Sequence, residues 1–358
     1  MKNVLKSMIQ VHRDSIVIDG LNAIFPSNFD EQYVNHLREG GINTIQITIP
    51  DVESFSTEYV FQELTKLFAN IRKLKHAGVR QVTTVSEIRK AKEDDEIAVL
   101  LGSQGSGFLG LDLDNLEFYH RLGMRIKQPT YQQRNQFGSG CGEKKDEGLS
   151  DLGLEWVRKM NDLGMVISLS HAGRRTSLDA IENSKDPVVF THSNVRTLCK
   201  HVRNIDDDQI RACAEKGGVI GLTPVAMFVS VDKEQGQLTI EDYLRHIDYI
   251  VNLVGINHVG LGMDLAEELY YTREKVLAKR SNLPSLTSPS MTKIEDEFLS
   301  STRDKLPFAE LYMPPWIQKM SDVPKITEAL SKAGYSDQEI KKILGENFLR
   351  VFERVFGA

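Results

Sequence analysis

The stretch Leu154-Glu155-Trp156-Val157-Arg158-Lys159-Met160-Asn161-Asp162-Leu163-Gly164-Met165-Val166-Ile167-Ser168-Leu169-Ser170-His171 decides the fold. Leu154, Val157 and Met160 fall on one face of a helix. Gly164 ends that helix, because glycine takes the left-handed conformation there without a Cβ clash. Met165 to Ser170 then reads as a buried strand, and its end delivers His171. The same junction recurs at Gly41-Ile42, Gly78-Val79, Gly123-Met124, Gly218-Val219 and Gly255-Ile256. Eight strong strands follow from the apolar runs, beginning near Ser15, Ile42, Ile97, Met124, Met165, Val188, Val219 and His258. Helical periodicity covers Glu58 to His76 and the Ile240, Tyr243, Ile247, Ile250 face. Alternating strands and helices mean a parallel sheet covered by helices, and eight such units favour a (β/α)8 TIM-type barrel of α/β class. No GxGxxG follows the first strand, so the dinucleotide-binding alternative lacks its fingerprint.

Composition narrows the class. Of 358 residues, 44 are Lys or Arg and 50 are Asp or Glu, giving a net charge of −6, which argues against a nucleic-acid-binding face. Three cysteines cannot build a disulfide framework, and none forms a CxxC pair. The first fourteen residues lack an apolar run of signal-peptide length, and nothing approaches the roughly 18 apolar residues of a membrane span. The expectation is a cytoplasmic enzyme, one barrel domain over 1–358, with a small-molecule substrate, no nucleic-acid or membrane partner, and a homodimeric assembly. Residues 266–317 are charged, irregular and proline-containing, and are expected to form a lid-like insertion after the last strand. Residues 336–357 are expected to form a closing helix, with Ser336 and Glu339 at capping-box spacing.

Chemistry in such a barrel sits past the C-terminal ends of the strands. Those positions are Asp19, Gln104, Tyr131, His171, His192 and Asp264. Two histidines at adjacent strand ends, with an Asp after the last strand, suit a metal site or acid–base work. Ser170 and Ser193 flank the histidines without a GxSxG elbow, so a serine nucleophile is not expected. Cys141 lies in a glycine-rich loop, and the sequence shows no base to activate it.

The chain resembles the membrane dipeptidase (renal dipeptidase) family of the amidohydrolase superfamily. The motifs are Gly148-Leu149-Ser150-Asp151-Leu152-Gly153, Ser168-Leu169-Ser170-His171, Thr191-His192-Ser193-Asn194, Arg203-Asn204, and His258-Val259-Gly260-Leu261-Gly262-Met263-Asp264. Asn347-Phe348-Leu349-Arg350-Val351 continues the likeness toward the end of the chain. The resemblance implies a two-zinc centre built from His-x-Asp after strand one, a bridging Glu after strand three, and one His after each of strands five and six. It also implies a carbonyl-polarising His after strand four, an Arg and a Tyr on the substrate carboxylate, and a proton-handling Asp after strand eight.

This sequence departs from that pattern. His-x-Asp reads Leu21-Asn22-Ala23, the Glu reads Gln104, the strand-four His reads Tyr131, and ungapped counting from Arg203 puts Phe228 at the Tyr. His171, His192, Arg203 and Asp264 survive. The expected site holds one zinc on His171, His192 and Gln104, weakly retained, with water as the fourth ligand. Asp264 is a further ligand or the general base. Tyr131 is an oxyanion donor, an acid or a packing residue. Arg203, Tyr131 and Phe228 are expected to face the substrate, the alternative for Arg203 being a surface salt bridge. Three functions remain open: a one-metal hydrolase of a small amide or dipeptide-like carboxylate, non-hydrolytic chemistry such as C–N bond elimination on an acidic or betaine-like metabolite, and a non-catalytic binding role.

Overall fold

The protein is described here by a computed structural model over residues 10–24, 26–50, 57–230, 232–233, 235–265, 267 and 313–357. Among these residues there are nine strands: β1 Ile18–Asn22, β2 Thr44–Pro50, β3 Val79–Gln81, β4 Ile97–Gln104, β5 Met124–Lys127, β6 Val166–Ile167, β7 Val189–Phe190, β8 Val219–Leu222 and β9 Val259–Leu261. β1, β2, β4, β5 and β6 pair in that order, and β7, β8 and β9 form a second group; every pairing is parallel. A bridge between Ser168 and Val189 joins β6 to β7. Asp264 N donates to Leu21 O at 2.9 Å and closes β9 onto β1. The result is the eight-stranded α/β barrel that the alternation indicates. β3 is additional: it pairs with Ile97–Val99 of β4, while β5 pairs further along, at Leu101–Ser103.

The helices occupy the expected stretches. Thr57–Lys73 is α-helical and tightens to a 3₁₀ turn at Leu74–Ala77; Asp151–Asp162 and Ile240–Val254 follow. Gly41, Gly78, Gly123, Gly164 and Gly255 have the positive φ a helix end needs. At the remaining junction it is Gly217, not Gly218, that turns.

Strand residues alternate between two apolar layers. Ile45, Ile47, Ile49, Val99, Leu101 and Leu222 pack toward the helices. Ile18, Ala98, Leu100, Ile126, Val189 and Val219 belong to the second cluster, which fills the lumen together with Phe348 and Phe352. Toward the C-terminal strand ends the inward positions turn polar, with Thr48, Gln128, Ser168 and Thr191 all buried.

The closing helix begins with the expected Ser336–Glu339 capping box. It is not one regular helix: Asp337–Lys341 passes through a π turn at Lys342–Glu346 before Asn347–Phe356. The wider turn coincides with Gly345, where a Cβ would stand 2.1 Å from Ile16 O, so the helix backbone presses directly on the chain entering β1. One turn later the Phe348 ring enters the barrel. A Cβ at Gly20, Gly221 or Gly260 would lie 2.7, 3.2 or 2.5 Å from that ring, so strands β1, β8 and β9 each leave a side chain out to admit it. The barrel is thereby sealed at the mouth opposite the histidines. Most of the expected lid, 266–317, lies outside the described residues. Its described part is anchored: Glu267 accepts from Met320 N at 2.8 Å and meets His36 Nδ1 at 2.5 Å.

Candidate active site

β6 runs into His171, β7 into His192 and β9 into Asp264. Among the described residues only Asp95, His171 and Asp264 are non-glycine positions with positive φ, at 57°, 69° and 46°. Left-handed backbone is costly for a residue with a Cβ and collects where a side chain must be aimed. Two of the three cases here are strand-end residues singled out from the sequence.

His171 Nε2 and His192 Nε2 stand 2.9 Å apart, both rings buried. His192 Nδ1 meets Thr191 Oγ1 at 2.9 Å, and that hydroxyl meets Ser168 Oγ at 2.9 Å. A hydrogen on Nδ1 bound this way leaves the Nε2 lone pair facing His171. Burial above all, then the Arg203 charge, pushes both imidazoles well below their usual pKa, and His192 adds to the effect on His171. Both are therefore neutral, the form that offers lone pairs to a cation. Tyr131 stacks on His171 with ring centres 4.1 Å apart and planes 26° apart. Cys141 N donates to His171 O at 2.7 Å, so the glycine-rich loop braces this histidine through its backbone. Ser170 Oγ accepts from His192 N and meets Ser193 Oγ at 3.1 Å, which makes both serines part of the scaffold.

Gln104 ends β4, half-buried, with no side-chain hydrogen bond among the described residues. Arg203 is buried; its Nη2 donates to His192 O at 3.1 Å, and its Nε has no partner among the described residues. Its Cζ lies 5.3 Å from the centre of the Phe228 ring, so the counting that paired these two residues corresponds to a spatial contact. His201, given no role from the sequence, packs against the same ring at 4.8 Å.

The strand-one departures are fitted into the fold. Leu21 is core. The Asn22 amide is committed: Nδ2 donates to Asp19 Oδ2 at 2.9 Å, and Oδ1 accepts from Tyr33 Oη at 2.9 Å and Ile24 N at 3.2 Å. Among the described residues no group of three or more His, Cys, Asp or Glu side chains could hold a metal. The converging donors are two imidazoles, which fit half the coordination of one divalent ion.

Asp19 does different work. It accepts from Met263 N at 2.7 Å, Leu21 N at 3.2 Å and Asn22 Nδ2, fixing the turn that presents Asp264. Burial pushes its carboxyl up to about 7 against those three donors, with the Asp264 charge adding to the rise. A pKa raised in the folded state gives stability that is complete below the unfolded value near 4 and is lost as pH climbs through about 7. Asp19→Asn, which cannot ionise, is therefore expected to gain stability relative to the unsubstituted protein between pH 5 and pH 8. Urea unfolding at both pH values measures it, and an unchanged difference would show that Asp19 does not titrate in that window.

A family profile described as membrane dipeptidase (peptidase family M19) matches residues 6–288 and 311–357. An amidohydrolase from Pseudomonas aeruginosa of known crystal structure is 30% identical, with a TM-score of 0.81 over 98% of this chain and 99% of its own. A metallo peptidase from Rhodobacter sphaeroides, solved with a phosphinate mimic of the dipeptide L-Ala-D-Ala, is 21% identical with a TM-score of 0.76 over 96% of this chain and 100% of its own, a likeness of fold. An uncharacterized dipeptidase of Schizosaccharomyces pombe is 36% identical over 177 residues, 48% of this chain and 42% of that protein.

Proposed function

The chain belongs to the membrane dipeptidase family, peptidase family M19, and from that premise we propose a hydrolase with a reduced, one-metal site for a small amide or dipeptide-like substrate carrying a carboxylate. The observation that carries the reading is the convergence of His171 and His192 Nε2 at 2.9 Å, both neutral. Two convergent neutral imidazoles are a donor pair suited to a divalent ion such as zinc. His171 and His192 would hold it, with the Gln104 amide oxygen as third donor. Zinc held there would supply Lewis acidity toward the amide carbonyl.

The rest is done by the chain. Asp264 takes the proton of the attacking water and returns it to the leaving amine. Tyr131, held flat against His171, offers its hydroxyl to the carbonyl oxygen as charge develops. Arg203 is a buried cation without a carboxylate partner among the described residues, a costly state that a substrate carboxylate relieves. Among the described residues no helix is long and apolar enough to cross a membrane.

Metal content by plasma mass spectrometry tests the reading. One zinc per chain is expected, absent in a His171→Ala, His192→Ala double variant. Two per chain would overturn the one-metal site. No zinc, even when offered, would sink the hydrolase and favour C–N bond elimination with Tyr131 and Asp264 as acid and base. The neutral ligand set among the described residues is what keeps that second reading in view.

A further inference from the structure

We infer that His201 is a second donor, beside Arg203, to the substrate's carboxylate. This rests on the reading that Arg203 receives a carboxylate. His201 Nδ1 accepts the backbone N–H of Arg203 at 3.2 Å. A neutral ring that accepts at Nδ1 carries its proton on Nε2. That Nε2–H has no partner among the described residues. Phe228 is the neighbour shared by the two side chains: its ring centre is 5.3 Å from the Arg203 Cζ and 4.8 Å from the imidazole centre.

The loop carrying both groups is built rather than loose. Asn204 Nδ2 donates to Cys199 O at 2.9 Å and to Phe228 O at 2.8 Å, and Cys199 Sγ donates to Met227 O at 3.4 Å. These bonds pin residues 199–204 to the segment bearing Phe228. Burial first, then Arg203 and Arg196, pushes His201 down to about 4, so near neutral pH it donates without adding charge. One guanidinium, one neutral N–H and an aromatic wall suit a single carboxylate, with one oxygen to each donor. Phe228 brings no hydroxyl, so the neighbouring imidazole is the available neutral donor.

The test is calorimetric titration of the full-length protein at pH 7 with N-acetylglycine and with its primary amide, N-acetylglycinamide. The acid is expected to bind at least tenfold more tightly than the amide. His201→Ala is expected to weaken the acid about tenfold and leave the amide unchanged, because a donor to a charged acceptor is worth more than one to a neutral group. His201→Gln keeps both an acceptor for the Arg203 N–H and a donor, and is expected to recover most of the loss. Arg203→Met is expected to abolish the preference for the acid. Thermal unfolding of each variant establishes that it is folded. If His201→Ala leaves the acid unaffected while Arg203→Met abolishes its binding, or if acid and amide fall equally, His201 is a wall and the inference fails alone. A wild type that binds neither ligand, or both alike, overturns the carboxylate reading and the role of His201 with it.

Discussion

Asp264→Asn is expected to lower the turnover of a hydrolysed dipeptide by about 10²–10⁴-fold, the usual worth of a positioned proton-transfer group. The substitution is chosen to change little else. Asn tolerates the left-handed backbone at this position, where φ is 46°. The bond from its N–H to Leu21 O, which helps close the barrel, is retained. The amide cannot accept the proton of the attacking water. The loss should therefore appear in kcat with KM changed far less, because removing an interaction made only in the transition state leaves ground-state binding alone. Steady-state kinetics at neutral pH decide it, and an unchanged kcat removes Asp264 from proton transfer.

Phe348→Ala is expected to cost about 3–5 kcal/mol of folding stability, the range for removing a fully buried large aromatic. Gly20, Gly221 and Gly260 give up side chains to the ring, so its removal leaves space bordered by backbone on three strands. Backbone in a hydrogen-bonded barrel cannot collapse inward to fill it, which places the cost at the upper end of that range. Denaturant unfolding measures the change. A loss below about 1 kcal/mol would mean that Phe352 and the strand residues close over the gap.

Periodicity carried most of the fold. Eight strands and the long helices follow from local signals that survive packing: apolar runs, 3.6-residue faces and a glycine at six of the helix–strand junctions. Local signal is weakest where distant chain intervenes. β3, only Val79–Gln81, is marked by the Gly78-Val79 junction but makes no strong apolar run of its own, and β4 offers it an edge. The π turn exists where Gly345 meets Ile16, which no window around residue 345 contains. The site divides in the same way. Strand-end reasoning picked out His171, His192 and Asp264, which the topology gathers at one barrel mouth, and it reached Tyr131, which stacks on His171. It left Asp19 without a role, because its work is done through Met263 N on the opposite side of the barrel seam. It passed over His201, because a histidine in a loop has no pattern until its tautomer is fixed by the backbone bond it accepts. The lid-like insertion remains an expectation, since nearly all of 266–317 falls outside the described residues.

Phe348 touches glycines on strands made more than 300 residues and about 90 residues before it, at Gly20 and Gly260. During synthesis every strand of the ring can emerge from the ribosome before the side chain that fills its centre. Consolidation of the ring is thus expected to wait on a contact of very large sequence separation. Chaperone demand should therefore track how quickly the segment after residue 336 is delivered.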